Sequence, residues 1–161
     1  MKRPRPLRDL WHARSGAVLV EHLIVFVPTM FFCLATLQTL LLCAGDLVIR
    51  RAASAAARAA VVVLPDDPRR FGGVPLHQYQ GARAAAVVKA TKMILAADPH
   101  FALEGVSVSI TGVRNGAPLT ATVKARYQCF ASFVNLVCGG SSRELTGTWT
   151  QVYQGADYAY E

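Results

Sequence analysis

The fold is decided by one apolar stretch, LIVFVPTMFFCLATLQTLLLCA, which runs from Leu23 to Ala44. Its 22 residues include no formal charge, and as an α-helix they would span about 33 Å, enough to cross a bilayer hydrocarbon core of about 30 Å. The polar interruptions are Thr29, Thr36, Gln38 and Thr39. We therefore predict a transmembrane helix. The alternative is a buried core helix, but a chain of 161 residues has little else with which to surround one.

The charges of the chain are placed unevenly around this stretch. Apolar residues make up 53% of the chain and charged residues 17%, which excludes intrinsic disorder for most of the length. Before residue 17 the only acid is Asp9, and the basic residues are Lys2, Arg3, Arg5, Arg8 and Arg14. Because basic flanks stay in the cytoplasm, we expect a single-pass protein with a cytoplasmic N-terminus. The net charge of +7 is largely this local cluster, so we expect no nucleic-acid partner.

Glu21 lies inside the apolar run that begins at Ala17, within RSGAVLVEHLIVF. A carboxylate near the bilayer interior costs several kcal/mol unless it is paired or reaches the interface. One interpretation is that Glu21 snorkels to the headgroups. The other starts from its position as the fifth residue counted from Ala17: cleavage after Gly16 would create an ammonium group that can pair with Glu21 of a neighbouring helix. Such a pair compensates both charges and sets the axial register.

A short basic leader, a glycine, an apolar helix and a glutamate at position five together resemble the type IV pilin-like proteins. Within that superfamily the chain resembles the TadE-like proteins of the Tad (tight adherence) pilus machinery. The segment VEHLIVFVP is similar to the family's Val-Glu opening, followed by an apolar run into a proline, here Pro28. The segment AGDLVIRRAASAAARAAVVV is similar to its small-residue and acidic exit, followed by an alanine- and arginine-rich helix. The resemblance covers about residues 14–64.

The resemblance implies a minor pseudopilin of the bacterial inner membrane whose C-terminal domain is periplasmic or extracellular, and which can be incorporated in a pilus. A prepilin peptidase would cut between Gly16 and Ala17, Glu21 would serve assembly, and Pro28 would kink the helix. The implied partners are other pilin-like subunits, Tad inner-membrane assembly proteins, the peptidase and the lipid bilayer. His22 follows Glu21 where Tad major pilins have tyrosine, and 97 residues follow Leu64, so a major fibre subunit is not expected.

The rest of the chain divides into a helical and a β part. Alanine-rich residues 46–64 are predicted to continue the first helix. The chain then divides into a leader of residues 1–16, a helix of residues 17–64 and an extracytoplasmic α+β domain of residues 65–161. Pro65–Pro68 should stop that helix. A second helix is predicted from Leu76 to Ala97. Its apolar face is predicted from Tyr79, Ala82, Ala86, Ala90, Met93 and Ala97.

Three strands are predicted after the second helix. Apolar and polar residues alternate over 106–111 and 119–128, and Asn115-Gly116 between them is a strong hairpin signal. A third strand, Leu145–Tyr153, places Leu145, Trp149 and Tyr153 on one face. One apolar and one polar face favour a small three-stranded antiparallel sheet half-covered by helix. The predicted fold class is therefore α+β, in a pilin-like arrangement.

Four cysteines fall into two pairs. Cys33 and Cys43 lie about 15 Å apart along one predicted helix, cannot bond to each other, and are expected to be apolar fillers. Cys129 and Cys138 bracket the apolar segment FASFVNLV in an oxidising compartment, so we predict a disulfide worth about 2–3 kcal/mol. A metal site is the alternative, with no histidine near either cysteine in sequence.

The sequence contains no catalytic constellation: there is no glycine-rich phosphate loop, no nucleophile elbow and no paired histidines. We therefore expect no enzyme activity, no cofactor, no metal and no small-molecule substrate. The favoured function is a structural or assembly protein, processed by a peptidase. The alternative is an uncleaved, single-pass, membrane-anchored extracytoplasmic binding module.

Overall fold

A computed structural model describes residues 14–113, 116–129 and 138–153, which form an α+β structure. The helices are α1 (Arg14–Val63), a short 3-10 helix (Pro68–Phe71) and α2 (Gly81–Leu95). The strands are β1 (Phe101–Thr111), β2 (Pro118–Gln128) and β3 (Ser142–Val152). The predicted class, with a long apolar N-terminal helix, a second helix and a three-stranded antiparallel sheet, is confirmed.

Helix α1 has 50 residues and is therefore about 75 Å long. From Ile49 onward one face packs under α2 and the sheet, and it is built mostly from alanines that are fully buried: Ala52, Ala53, Ala56, Ala57 and Ala60. Alanine favours helix and keeps neighbouring elements close. The helix ends at Val63, directly before the Pro65–Pro68 segment that predicted its end.

The sheet has the order β1-β2-β3, with β2 in the centre and both pairings antiparallel. Alternate residues of β2 point to the core and are buried: Leu119, Ala121, Val123, Ala125 and Tyr127. Trp149 pairs with Ala121 and Leu145 with Ala125, so the predicted face of the third strand lies on the inner side of the sheet, but Trp149 is 45% exposed and not buried. The predicted hairpin residue Asn115 lies outside the described residues.

Two strands begin earlier than the alternation predicts. In β1, Phe101 pairs with Tyr127 before a register shift that ends at Ser107, so the strand contains an irregularity that interrupts its period. In β3, Ser142 pairs with Gln128 although its own side chain is polar. Alternation detects only regular, half-buried strand segments, and it therefore missed both strand starts.

The bounds and the buried face of α2 differ from the prediction. The helix begins at Gly81 rather than Leu76, because His77 has a left-handed backbone (φ 60°) and its amide donates to the Leu64 carbonyl. The predicted apolar face is wrong: Met93 is 64% exposed, and Ala82 and Ala97 are also exposed. The buried residues of α2 are Arg83, Val87, Thr91 and Leu95.

Arg83 explains why this face of α2 turns inward. Its guanidinium donates to the carbonyls of Leu64 at 3.0 Å, Asp66 at 2.8 Å and Val74 at 3.2 Å, and also to that of Val63. The last carbonyls of a helix lack intrahelical partners and form the negative end of its dipole. The fully buried cation therefore caps α1. Apolar periodicity cannot find this arrangement, because it assigns every arginine to the solvent.

Two glycines allow α1 to lie directly on the sheet. A Cβ on Gly147 of β3 would stand 2.5 Å from the Ile49 carbonyl oxygen, and one on Gly45 would stand 2.8 Å from the Tyr127 ring. Such distances are impossible for ordinary side chains, so both positions require glycine in this packing. The helix and the sheet are thus held at closer range than side-chain layers usually permit.

Candidate membrane and assembly helix

The N-terminal half of α1 projects from the rest of the molecule. Apart from half-buried Leu34 and Ala35, every side chain described between Gly16 and Leu37 is exposed, with Ile24 at 68% and Phe32 at 73%. By length and composition, α1 is the one described helix that could cross a membrane, and none of its most apolar window is buried. We call Gly16–Leu37 the free half of α1, and Gln38–Val63 the packed half.

Threonine hydroxyls of the free half are satisfied within the helix. The hydroxyl of Thr29 donates to the Val25 carbonyl at 2.7 Å, and that of Thr36 to the Phe32 carbonyl at 2.8 Å. Back-bonding of this kind leaves no hydroxyl in need of water, as lipid exposure requires. Pro28 lies inside the continuous helix, where it removes one backbone donor. The kink expected there stays a prediction.

The predicted processing and assembly residues occupy the first turns of α1. Gly16 is exposed, and a Cβ placed on it would meet no atom within 4 Å. Glu21 is exposed and follows Ala17 by four residues, so the two positions lie on one face of the helix, about 6 Å apart along its axis. The pairing of Glu21 with an Ala17 amine involves a second chain, and it stays a prediction.

The predicted disulfide between Cys129 and Cys138 is present and links the end of β2 to the segment before β3. The Cys129 amide also donates to the Ser141 carbonyl at 3.0 Å. Gln38 of α1 packs against this link: its Nε2 lies 3.5 Å from the Cys138 Sγ, and the residue is only 2% exposed. We call Gln38 with the two cysteines the disulfide edge. The residues between the cysteines lie outside the described part of the chain.

Tyr127 fixes α1 one turn above the disulfide edge. Its hydroxyl donates to the Leu41 carbonyl at 3.1 Å, and its ring covers Gly45. Burial, and to a lesser degree the negative charge of Asp98, raises the pKa of Tyr127, so the hydroxyl keeps its proton at neutral pH. The domain therefore contacts one face of α1 at this level, formed by Gln38, Leu41 and Gly45.

The site residues named from the sequence do not come together in one place. The free half contains the predicted processing and assembly residues, Gly16, Ala17, Glu21 and Pro28. The disulfide contacts α1 at Gln38, which is about 26 Å from Glu21 along the helix axis. Sequence reasoning missed Gln38 as a contact. One signal was available, because Gln38 is the amide side chain in a run whose other polar residues are threonines.

Outside α1 the described surface includes an apolar depression beside α2. This shallow depression of about 510 Å³ on the exposed side of α2 is lined by the apolar residues Val88, Met93 and Leu103 and by two lysines, Lys89 and Lys92. Among residues 14–113, 116–129 and 138–153, no three His, Cys, Asp or Glu side chains are placed to hold a metal ion.

Comparison of the chain with protein-family models, with curated proteins and with solved structures gives no match.

Proposed function

We propose that the chain is a non-catalytic minor pseudopilin, a structural and assembly component of a Tad-type pilus or secretion system. The observation that carries the proposal is the free half of α1, which is apolar on every face and has Glu21 at the fifth position after Gly16. The resemblance of residues 14–64 to TadE-like proteins supports the same function.

The free half is suited to a bilayer rather than to water. Its exposed apolar residues form a far larger continuous surface than a soluble monomer carries. Its threonine hydroxyls are already bonded to the helix backbone. In this proposal α1 anchors the protein in the bacterial inner membrane, with its basic N-terminal segment in the cytoplasm and the sheet on the other side.

Assembly follows from processing at the start of α1. A prepilin peptidase cuts after Gly16 and leaves an ammonium group on Ala17, which pairs with Glu21 of a neighbouring pilin-like subunit. In a bundle of apolar helices both charges would otherwise be uncompensated, and the pair therefore selects one axial register. Because α1 is continuous from Arg14 to Val63, that register also sets the position of the attached domain along the axis of the helix bundle.

The alternative, an uncleaved membrane-anchored binding module, is favoured by one observation. The depression beside α2 is lined mostly by apolar residues, among them Val88, Met93 and Leu103, and by two lysines. Such a surface would suit an apolar segment with acidic ends. It requires no processing at Gly16, which separates the two functions experimentally.

The test is the N-terminus of the mature protein, produced together with a Tad-type prepilin peptidase. The proposed function predicts a mature chain that starts at Ala17 and has 145 of the 161 residues. The Gly16→Leu variant should keep its leader, whereas Ser107→Leu, altered at an exposed position of the domain, should be processed normally. Intact mass of membrane-extracted protein distinguishes the products. An unprocessed wild-type chain would favour the anchored binding module.

A further inference from the structure

The packed half of α1 begins inside the apolar run. Gln38 is buried by Cys138, the Leu41 carbonyl accepts the Tyr127 hydroxyl, and Gly45 lies under the Tyr127 ring. These contacts occupy one face of the helix over two turns. Lipid cannot surround a helix at a level where protein already covers one side, so the stretch from Gln38 to Ala44 is not encircled by hydrocarbon.

The length of the free half fits a bilayer without the residues above it. Val18–Leu37 comprises 20 residues, which span about 30 Å as a helix, and a typical hydrocarbon core is also about 30 Å thick. The ion pair between Asp46 and Arg50, at 2.8 Å, then lies about 12 Å above Gln38, well outside the hydrocarbon.

In the part of the chain that the structure describes, Gln38 is the first side chain along the apolar run with a bond outside its own helix. Thr29, Thr36 and also Thr39 bond back to α1. Gln38 instead uses an atom of another part of the chain. The same placement puts Glu21 about 5 Å inside the cytoplasmic boundary, where a carboxylate needs a partner.

We propose that bilayer hydrocarbon surrounds α1 only from Val18 to Leu37, and that the disulfide edge rests directly on the lipid headgroups. The inference depends on the membrane-anchoring part of the proposed function and names its lipid-contacting residues. It moves the outer boundary from Ala44 to Gln38. The domain therefore has no stalk: the end of the hydrocarbon and the start of the domain coincide.

Two native thiols lie on opposite sides of this boundary. Cys33 and Cys43 are both free and exposed in the protein itself, and each is five residues, about 8 Å, from Gln38. An apolar run embedded over its full length, from Leu23 to Ala44, would hide both thiols from a water-soluble reagent, whereas the proposed boundary hides only Cys33. The two positions differ in little except their depth.

The experiment uses the full chain in phosphatidylethanolamine–phosphatidylglycerol vesicles, with the domain outside as verified by protease access. The Cys33→Ala variant keeps Cys43 as its free thiol, and Cys43→Ala keeps Cys33. A charged maleimide reacts with the thiolate, which is excluded from hydrocarbon, so Cys43 should be labelled about a hundredfold faster than Cys33. In denaturant both variants should label equally, which controls for intrinsic reactivity.

The other outcomes separate the two proposals. Protection of both thiols would place the boundary above Cys43, which overturns the proposed depth and leaves the anchoring intact. Rapid labelling of both in vesicles would show that α1 is not embedded, which overturns the anchoring itself. Faster labelling of Cys33 than of Cys43 would contradict both.

Discussion

Helix α1 is one continuous helix made of two unlike halves. The free half carries bulky Leu, Ile, Val and Phe side chains on every face and exposes them. The packed half presents a row of buried alanines to α2 and the sheet, and its other face carries exposed Arg50, Arg51 and Arg58. Apolar residues all around a helix suit lipid, whereas a small-residue stripe suits close protein packing. The comparison shows that the size and distribution of apolar side chains, rather than their amount, distinguish the two environments.

The two halves also differ in how polar groups find partners. In the free half, threonine hydroxyls bond to carbonyls four residues earlier. In the packed half, Thr39 and Ser54 also bond to the helix backbone. Distant elements bond to α1 there as well: Tyr127 donates to the Leu41 carbonyl and Arg83 to carbonyls at the helix end. A change in the free half should therefore alter assembly and leave the fold intact, and a change in the packed half should do the opposite.

The largest expected effect comes from Glu21→Ala in the free half. In the proposed assembly, it leaves the Ala17 ammonium of a neighbouring subunit unpaired, which should cost about 3–5 kcal/mol and reduce incorporation by a hundredfold or more. Membrane insertion and cleavage should be unchanged, because the helix becomes more apolar. The measurement is recovery in sheared fibres or crosslinked assemblies at matched membrane levels.

Glu104→Ala is the control for this experiment, since it removes an exposed carboxylate from the domain and should assemble normally. Equal incorporation of Glu21→Ala and wild type would remove the assembly role from Glu21.

The second effect concerns the packed half. Arg83→Met keeps the length of the side chain but leaves the carbonyls of Leu64, Asp66 and Val74 without their buried donor. The free energy of unfolding should fall by about 3 kcal/mol. Urea unfolding in detergent, followed by near-UV circular dichroism, measures it. Arg58→Met, at an exposed position of α1, should change stability by no more than about 0.5 kcal/mol. Similar losses in both variants would contradict a capping role.

The smallest effect comes from a comparison of two glycines: Gly147, which lies against the packed half of α1, and Gly16, which lies in the free half. Gly147→Ala places a Cβ 2.5 Å from the Ile49 carbonyl oxygen, so the sheet must shift and the free energy of unfolding should fall by about 2 kcal/mol. Gly16→Ala meets no atom within 4 Å and should not destabilise the domain. Thermal unfolding in detergent measures the melting temperature of both variants. An unchanged melting temperature for Gly147→Ala would mean that the close approach of α1 to the sheet is not needed.

Part of the fold was predictable because its signals are local. The apolar run, the alanine-rich continuation to Val63 and the alternation in β2 each repeat with the period of one element. The disulfide was predictable for a similar reason, since Cys129 and Cys138 bracket one short segment. The residues of the candidate site at Gly16, Ala17, Glu21 and Pro28 came from spacing and resemblance, and their roles stay predictions.

The sequence by itself determined the types and order of the elements, because backbone geometry imposes a period that neighbouring residues reveal. Only the tertiary structure decided which face of α2 is buried and where the domain meets α1. Arg83 caps a helix end 19 residues away from it in the chain, and Gln38 packs against a cysteine 100 residues away. A buried polar side chain is stabilised by the particular partners that surround it, and the folded chain alone brings those partners together.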